Sequence, residues 1–135
     1  MNLLSGIDLV DVEEVRLEIE NDGGAFIQTH FSPAEIEYCE SRKKMRHEHY
    51  AGRLVVKRAF LKAVGKPEKD FSLKEIEITR EKGHVPGLNL SESAMKKAGL
   101  RPPDKILVSL AHERKIAVGT VVIVRGQTPF AGKGV

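Results

Sequence analysis

Apolar residues fall into separate segments along the chain, and their spacing predicts several strands. Five of the eight residues 3–10 are large and apolar, which predicts a buried strand, and residues 75–79 alternate between polar and apolar side chains. Two later apolar runs, 105–111 and 116–124, are joined by the short link 112–115. This arrangement predicts a β-hairpin, and we expect an antiparallel sheet.

The polar positions between these runs carry local signals for helices. Ser32 is a favourable N-cap residue, Pro33 follows it, and Glu35 comes three residues after the cap, so a helix is predicted to run to about Ser41. A first helix is predicted to begin at Asp11, with Glu14 at the capping-box offset, and to end at Gly23 and Gly24. A long helix is predicted from about Glu48 to Val64, where Gly65 and Pro67 end it. A short helix is predicted between Ser91 and Gly99.

The order of these elements predicts the fold class. Helices and strands are mixed, no internal repeat or linker divides the chain, and 135 residues are enough for one hydrophobic core. We predict an α+β fold in which an antiparallel sheet packs on a long central helix, as a single domain over residues 1–125. Residues 126–135 contain three glycines and a proline without periodicity, and are predicted to form a flexible tail.

Composition excludes several classes of protein. Apolar residues make up 41% of the chain and charged residues 30%, which is typical of a soluble globular protein. Tryptophan is absent and aromatic residues make up 5%, so we expect no nucleic-acid partner that binds by base stacking. Cys39 is the single cysteine, and Asp8 and Asp11 interrupt the N-terminal apolar stretch. We therefore expect a cytoplasmic protein without disulfide, signal peptide or membrane partner.

The net charge of +3 is small, but the cations are concentrated in one segment. Residues 49–67 contain five basic residues and no acidic one. Apolar side chains surround the helix predicted here, so it should be buried on most sides although it is cationic. The cations of this helix are Arg53, Lys57, Arg58 and Lys62.

Partly buried charges must be paired, and two interpretations of these cations stay open. Carboxylates from elsewhere in the fold could pair with them. Alternatively, the helix binds an anionic ligand with several phosphates, and nearby loop cations add contacts. Those loop cations are Lys43, Lys44 and Arg46.

Two further residues are candidates for chemistry. Asp8 stands at the end of the Gly6-Ile7-Asp8 run, where a carboxylate beside a cation-rich helix could hold a divalent metal that also contacts phosphate. Helix capping or an ion pair is the structural alternative for Asp8. His112 stands at the end of a predicted strand, where a ligand role and a structural role both stay open.

Four motifs occur in a fixed order between about residues 5 and 124. They are Gly6-Ile7-Asp8-Leu9-Val10; Phe31-Ser32-Pro33-Ala34-Glu35 with Tyr38-Cys39; Ala51-Gly52-Arg53 leading into Lys57-x-Ala59-x-x-Lys62-Ala63-x-Gly65; and Val108-Ser109-x-x-His112. Together they resemble the holo-acyl-carrier-protein synthases of the 4'-phosphopantetheinyl transferase superfamily. The resemblance implies a homotrimer that binds coenzyme A between subunits and transfers 4'-phosphopantetheine to a serine of acyl carrier protein, releasing adenosine 3',5'-bisphosphate.

The resemblance also implies roles for individual residues. Asp8 matches the first magnesium-binding carboxylate of the family, and Lys62 matches the lysine that contacts the diphosphate and stabilises charge in the transition state. The residues implied in binding coenzyme A are Lys43, Lys44, Arg53, Arg58, Lys62, Gly65 and His112. The first helix, whose basic residues dock the carrier protein in the family, has only Arg16 among four glutamates.

Arg58 is the main departure from the family pattern. The family signature reads Lys-Glu-Ala where this chain has Lys57-Arg58-Ala59, and that glutamate is the second magnesium ligand. At an effective dielectric constant of about 20, a guanidinium ~5 Å from Mg²⁺ is repelled by ~7 kcal/mol before screening. Magnesium is therefore not expected in its usual place.

Three arrangements of Arg58 stay open. Opposite charges at one helix–strand junction favour a pair of Arg58 with Asp8 in the resting state. Alternatively, the guanidinium replaces the metal on the diphosphate, or Glu48 or Glu113 rebuilds a displaced magnesium site. The expected function is phosphopantetheinyl transfer, and the alternative is a catalytically impaired relative that keeps the fold as a structural or regulatory subunit.

Overall fold

The computed structural model describes residues 2–80 and 85–126, which form five helices, five strands and three short 3-10 helices. The helices are α1 (Val12–Asn21), α2 (Ala25–His30), α3 (Pro33–Ser41), α4 (Arg46–Val64) and α5 (Glu92–Ala98). The strands are β1 (Asn2–Asp11), β2 (Ile76–Thr79), β3 (Gly87–Leu90), β4 (Lys105–His112) and β5 (Ile116–Arg125). The 3-10 helices are Lys43–Met45, Glu68–Asp70 and Leu73–Glu75.

The main sheet has three antiparallel strands in the order β1-β5-β4. In its register Asp8 lies opposite Gly119 of the central strand. The predicted hairpin between β4 and β5 is confirmed, and its turn is closed by a hydrogen bond of 2.9 Å from the backbone N–H of Glu113 to the carbonyl of Ile116. Strands β2 and β3 form a separate antiparallel pair.

Helix α4 packs across one face of the main sheet, and two glycines allow this close approach. A Cβ atom at Gly6 would lie only 2.1 Å from the carbonyl oxygen of Ala59, and one at Gly119 would lie 3.0 Å from the backbone nitrogen of Val56. The first distance leaves no room for a side chain, so α4 contacts the backbone of β1 directly. Most of α4 between Tyr50 and Ala63 is buried, as the apolar pattern predicted.

The opposite face of the main sheet is open to solvent. Four large apolar side chains on this face are from 55% to 62% exposed. They are Leu3, Ile7 and Leu9 of β1 and Leu107 of β4. Residues of β1 and β4 alternate between exposed and half-buried, so β1 is not the fully buried strand that its sequence predicted. The alternation separates a covered face from an uncovered apolar face.

The observed elements confirm the α+β prediction and differ from it in detail. Asp11 caps α1 by accepting the N–H of Glu13 at 2.8 Å, and the capping box of Ser32 and Glu35 is formed in full. Helix α2 was not predicted, because it begins at the left-handed Gly24 without a side-chain cap. Strand β3 was also not predicted, since it is only four residues long.

Some predictions fall at the limits of the described ranges. Residues 81–84, between β2 and β3, lie outside the described residues. Apart from Gly126, the predicted tail 126–135 also lies outside them. None of the helices in the described ranges is long and apolar enough to span a membrane.

Candidate functional site

Lys62 and Asp8 lie together where α4 contacts β1. The Nζ of Lys62 donates to Oδ1 of Asp8 at 2.6 Å and to the carbonyl oxygen of Ile7 at 3.2 Å. The side chain of Asp8 is 15% exposed and that of Lys62 is 57% exposed. Because Gly6 brings the strand within reach of the Lys62 stem, the carboxylate is anchored and the ammonium group faces solvent.

Arg58 does not pair with Asp8, so the expected resting-state pair is wrong. The Nε of Arg58 donates to Oε1 of Glu68 at 3.0 Å. Lys62 lies one helical turn further along α4, beside β1, and its ammonium group forms the ion pair with Asp8 instead. Gly65 ends α4 in the left-handed conformation, with φ of 69°, and the chain then returns so that Glu68 reaches Arg58.

These charged side chains line one cavity of about 200 Å³. The lining residues are Asp8, Arg58, Leu61, Lys62, Lys66 and Glu68. Three cations and two carboxylates give this lining a formal charge of +1. We call this cavity the Lys62 cavity.

A divalent metal does not fit the Lys62 cavity. Magnesium requires near-octahedral oxygen ligands, but both carboxylates here are already paired with basic side chains. Within residues 2–80 and 85–126, no three His, Cys, Asp or Glu side chains are grouped so as to hold a metal ion.

The two carboxylates considered for a displaced magnesium site are engaged elsewhere. Glu48 lies 3.6 Å from Nδ1 of His112. Glu113 stabilises the turn between β4 and β5 by accepting the N–H of Ile116 at 2.8 Å. Neither residue lines the Lys62 cavity.

Lys57 is part of the core. Its side chain and that of Glu35 are fully buried, and their Nζ and Oε1 atoms are 2.7 Å apart. The Nζ also donates to the carbonyl oxygens of His30 and Leu73 at 2.9 and 2.6 Å. Burial lowers the pKa of Lys57, and the charge of Glu35 opposes this effect. Lys57 is thus paired with a carboxylate from elsewhere in the fold, which confirms that interpretation for this cation.

A second cluster lies beside the first half of α4, and we call it the Arg53 cluster. Arg53 is 3% exposed, and its guanidinium stacks 4.2 Å from the ring centroid of Tyr38. In the part of the chain that the structure describes, its Nε has no hydrogen-bond acceptor. The ring of His112 packs edge-on against His49 at 4.7 Å between centroids, and it reaches α4 at Gly52.

The Arg53 cluster adjoins a groove of about 560 Å³ between α3, α4 and β2, which Tyr38, Arg53 and Arg80 help to line. Burial, together with the nearby charges of His112 and Arg53, lowers the pKa of His49 to about 4. His49 is therefore neutral at pH 7. Glu35, Glu37 and Glu77 also line this groove, so its formal charge is not positive. The unsatisfied Nε of Arg53 is the group in it that could donate to an anion.

The loop cations differ in their environments. Lys43 and Lys44 lie exposed in the 3-10 helix that precedes α4, and Lys43 adopts a positive φ of 48°. Arg46 is engaged within the chain, because its Nη2 donates to Glu40 at 2.9 Å. Only the two lysines therefore keep exposed ammonium groups for a ligand.

The two clusters lie at different ends of α4. Asp8 and Lys62 lie near its C-terminal end, whereas Arg53 and His112 lie beside its first half. Nine residues separate Arg53 from Lys62, which corresponds to about 14 Å along a helix. One copy of the chain thus does not bring all the predicted site residues into one cluster.

Glu68 and His49 are among the residues at these clusters that had no role in the sequence-based predictions. Glu68 is the first acidic residue after the acid-free run 49–67, and this signal could have identified it as a partner for the cations. His49 precedes Tyr50 at the start of the buried part of α4. Its contact with His112 depends on tertiary packing, and no local signal predicts it.

Sequence comparison relates the chain to one family. Residues 5–118 match the family model described as the 4'-phosphopantetheinyl transferase superfamily. A holo-[acyl-carrier-protein] synthase of Ruminiclostridium cellulolyticum is 37% identical over 129 residues, which cover 95% of this chain and 96% of the relative. A protein of the same name from Cytophaga hutchinsonii is 40% identical over 123 residues, covering 87% of this chain and 93% of the relative.

Solved structures with similar folds carry related names. An ACPS–CoA complex of Chronobacterium ammoniagenes has a TM-score of 0.80 and 26% identity, and the match covers 94% of this chain and 100% of that one. A Helicobacter pylori holo-[acyl-carrier-protein] synthase in complex with coenzyme A has a TM-score of 0.76 and 24% identity, covering 90% and 100%. The predicted fold, an antiparallel sheet on a long central helix, is that of these structures.

Proposed function

Because this chain belongs to the 4'-phosphopantetheinyl transferase superfamily, we propose that it transfers 4'-phosphopantetheine from coenzyme A to a serine hydroxyl of an acyl carrier protein. Relatives named for this activity match nearly the whole chain. The observation that carries the proposal is the contact of 2.6 Å between Lys62 and Asp8 at a cation-lined cavity. A diphosphate is an anion of suitable charge for this cavity.

The reaction is an in-line displacement at phosphorus. The serine oxygen forms a bond to the phosphorus atom that carries pantetheine, and the bond from that atom to the bridging oxygen breaks. Adenosine 3',5'-bisphosphate leaves with the bonding electrons, and the serine proton passes to solvent. Lys62 neutralises the negative charge that develops on the phosphoryl oxygens, and Asp8 holds Lys62 in position.

The Arg53 cluster would bind the other end of coenzyme A. Arg53 has a buried guanidinium with an unsatisfied Nε, and Lys43 and Lys44 lie exposed just before the same helix. These cations suit the 3'-phosphate, and the imidazole of His112 suits the adenosine. Gly65, at the exposed C-terminus of α4, leaves the backbone near the Lys62 cavity accessible to the diphosphate.

We further propose that the protein is a homotrimer with the coenzyme A site between subunits. The uncovered apolar face of the main sheet supports an interface, because exposed apolar patches of this kind mark contacts between proteins. The distance between the two clusters also supports it, since adjacent copies could contribute one cluster each. Sedimentation of the wild type should give a trimer, and Ile7→Lys on the exposed face should give monomers. A wild type that sediments as a monomer would contradict this assembly.

We also propose that an acyl carrier protein is the partner of this protein and that the protein acts in the cytoplasm. Cys39 is free and buried, and burial raises the pKa of its thiol to about 12. The thiol is therefore unreactive and packs as an apolar side chain. A free cysteine of this kind is consistent with a reducing compartment. Arg16 of α1 pairs with Glu13 and Glu20 of the same helix. We therefore expect docking of the carrier to depend little on charges of α1.

Mass spectrometry of apo carrier protein tests the proposed activity. Incubation with coenzyme A and the wild-type protein should add phosphopantetheine to the carrier, and Lys62→Ala should abolish the product while the protein stays folded. Each reaction is run with magnesium and with EDTA. If no carrier of a panel is modified at stoichiometric enzyme in either condition, a non-catalytic relative with a structural or regulatory role is the better account.

A further inference from the structure

The Lys62 cavity has the electrostatic character of an anion site. Its lining carries three cations and two carboxylates. With a glutamate at position 58, as in the family motif, the same lining would carry two cations and three carboxylates, and its formal charge would be −1 instead of +1. Position 58 therefore reverses the sign of the cavity's charge.

Arg58 has hydrogen-bonding capacity that its pair with Glu68 does not use. The guanidinium bonds Glu68 only through Nε, and among the described residues its two terminal nitrogens make no hydrogen bond. Such a planar pair of donors matches two oxygens of a phosphoryl group.

The pair of Arg58 with Glu68 can be exchanged for a ligand at small cost. The Arg58 side chain is 33% exposed and the Glu68 side chain 42% exposed. Ion pairs at this exposure contribute little to stability. A diphosphate bearing more than one negative charge competes effectively with a single carboxylate for the guanidinium.

We propose that Arg58 takes the place of a divalent cation in this protein. The diphosphate of coenzyme A binds directly to Arg58, Lys62 and Lys66, and it displaces Glu68 from Arg58. Neither binding nor transfer then requires magnesium, because the guanidinium and two ammonium groups neutralise the diphosphate. This inference rests on the proposed function in taking coenzyme A as the substrate.

Calorimetric titration of the full chain with coenzyme A, in magnesium and in EDTA, tests the proposal. The wild type should bind with dissociation constants that agree within about twofold in the two buffers. Arg58→Glu should bind at least roughly tenfold more weakly in EDTA and should recover affinity in magnesium. Arg114→Glu, on the exposed turn between β4 and β5, makes the same change in net charge outside the cavity and should behave as wild type.

Further variants separate the role of Arg58 from an effect on folding. Arg58→Gln removes the charge without adding an acid, and should also weaken binding in EDTA. Glu68→Gln frees the guanidinium and should tighten binding of coenzyme A by about twofold to fivefold. Inorganic pyrophosphate should compete with coenzyme A in EDTA for the wild type but not for Arg58→Gln.

The outcomes distinguish this inference from the proposed function. A wild type that loses coenzyme A in EDTA and regains it with magnesium overturns the role of Arg58. Carrier modification that occurs only with magnesium overturns it as well, and leaves the proposed function standing. Metal-independent binding of coenzyme A without modification of any carrier supports the role of Arg58 and contradicts the proposed function.

Discussion

Lys57 and Glu35 form an ion pair of 2.7 Å between two side chains that solvent does not reach. Oε1 of Glu35 also accepts the backbone N–H of Ser32 at 2.8 Å, and Oε2 accepts the N–H of Ile78 at 2.8 Å. One carboxylate thereby joins the start of α3, the middle of α4 and strand β2. These elements carry Tyr38 and Arg53, so the pair fixes the groove of the Arg53 cluster.

Removing either member of this pair should destabilise the protein strongly. Lys57→Met leaves a buried carboxylate without its cation, and we expect the free energy of unfolding to fall by about 3–5 kcal/mol in urea denaturation. Glu35→Gln should have a similar effect, and the double variant should lose less than the sum. Arg16→Met at an exposed pair is the control, and we expect it to lower the free energy of unfolding far less. A loss of that small size for Lys57→Met would show that the pair is unimportant.

Gly6→Ala should destabilise the contact between β1 and α4. A methyl group there would lie 2.1 Å from the carbonyl of Ala59 and 2.6 Å from the backbone nitrogen of Ala63, so the helix must shift. We expect a loss of about 1–3 kcal/mol or more in the free energy of unfolding. The shift should also lower activity, because it moves Lys62 from Asp8. Ser5→Ala, on the exposed face, is the matched control and should change neither quantity.

The stability of the protein should fall as the pH falls from about 6.5 to about 4. Burial, aided by His112 and Arg53, lowers the pKa of His49 to about 4, against an ordinary value of 6.5. Between these values the unfolded chain binds a proton that the folded chain does not, so acid favours unfolding. Thermal unfolding of His49→Gln should depend less on pH in this interval. Equal pH dependence in the variant and the wild type would show that His49 does not cause the loss of stability in acid.

Asp8→Asn should separate binding from catalysis. The substitution removes one negative charge from the Lys62 cavity, so affinity for coenzyme A should be kept or increased. Because Lys62 then loses the carboxylate that holds it, transfer to the carrier should slow by roughly a hundredfold. Calorimetry and single-turnover assays measure the two effects. A parallel loss of binding and transfer would instead indicate that Asp8 supports the shape of the cavity.

Arg53→Lys should weaken binding of the nucleotide end of coenzyme A. Lysine keeps the charge but loses the planar group that stacks on Tyr38, so affinity for coenzyme A should fall about tenfold. Affinity for 3'-dephospho-coenzyme A should change little, because that ligand lacks the phosphate. Equal losses for both ligands would contradict a 3'-phosphate contact. Circular dichroism establishes that the variant is folded.

The parts of this structure that sequence predicts are those with local causes. Ser32, Pro33 and Glu35 specify a helix start by neighbouring hydrogen bonds, and the structure confirms it. The buried character of α4 follows from its apolar residues, which surround the helix. The contact of Asp8 with Lys62 agrees with the motif positions, although they lie 54 residues apart.

The acid-free run 49–67 marks Glu68 as an available acid, but the sequence does not say which cation it pairs with, because that depends on the path of the chain. The charge of Asp8 alone favoured a pair with Arg58. Which cation reaches Asp8 is decided by Gly6, which brings the turn of α4 containing Lys62 against β1. Which acid reaches Arg58 is decided by the turn at Gly65, and no local pattern specifies its direction.

Lys57 and Arg58 are adjacent in sequence but serve different parts of the molecule. Successive helical residues point about 100° apart, so Lys57 lies in the core while Arg58 reaches the cavity. A change from acid to base at position 58 therefore leaves the fold's buried ion pair untouched. Under the role proposed for Arg58, a single substitution outside the core changes how the Lys62 cavity neutralises a diphosphate and leaves the packing around the buried pair as it is.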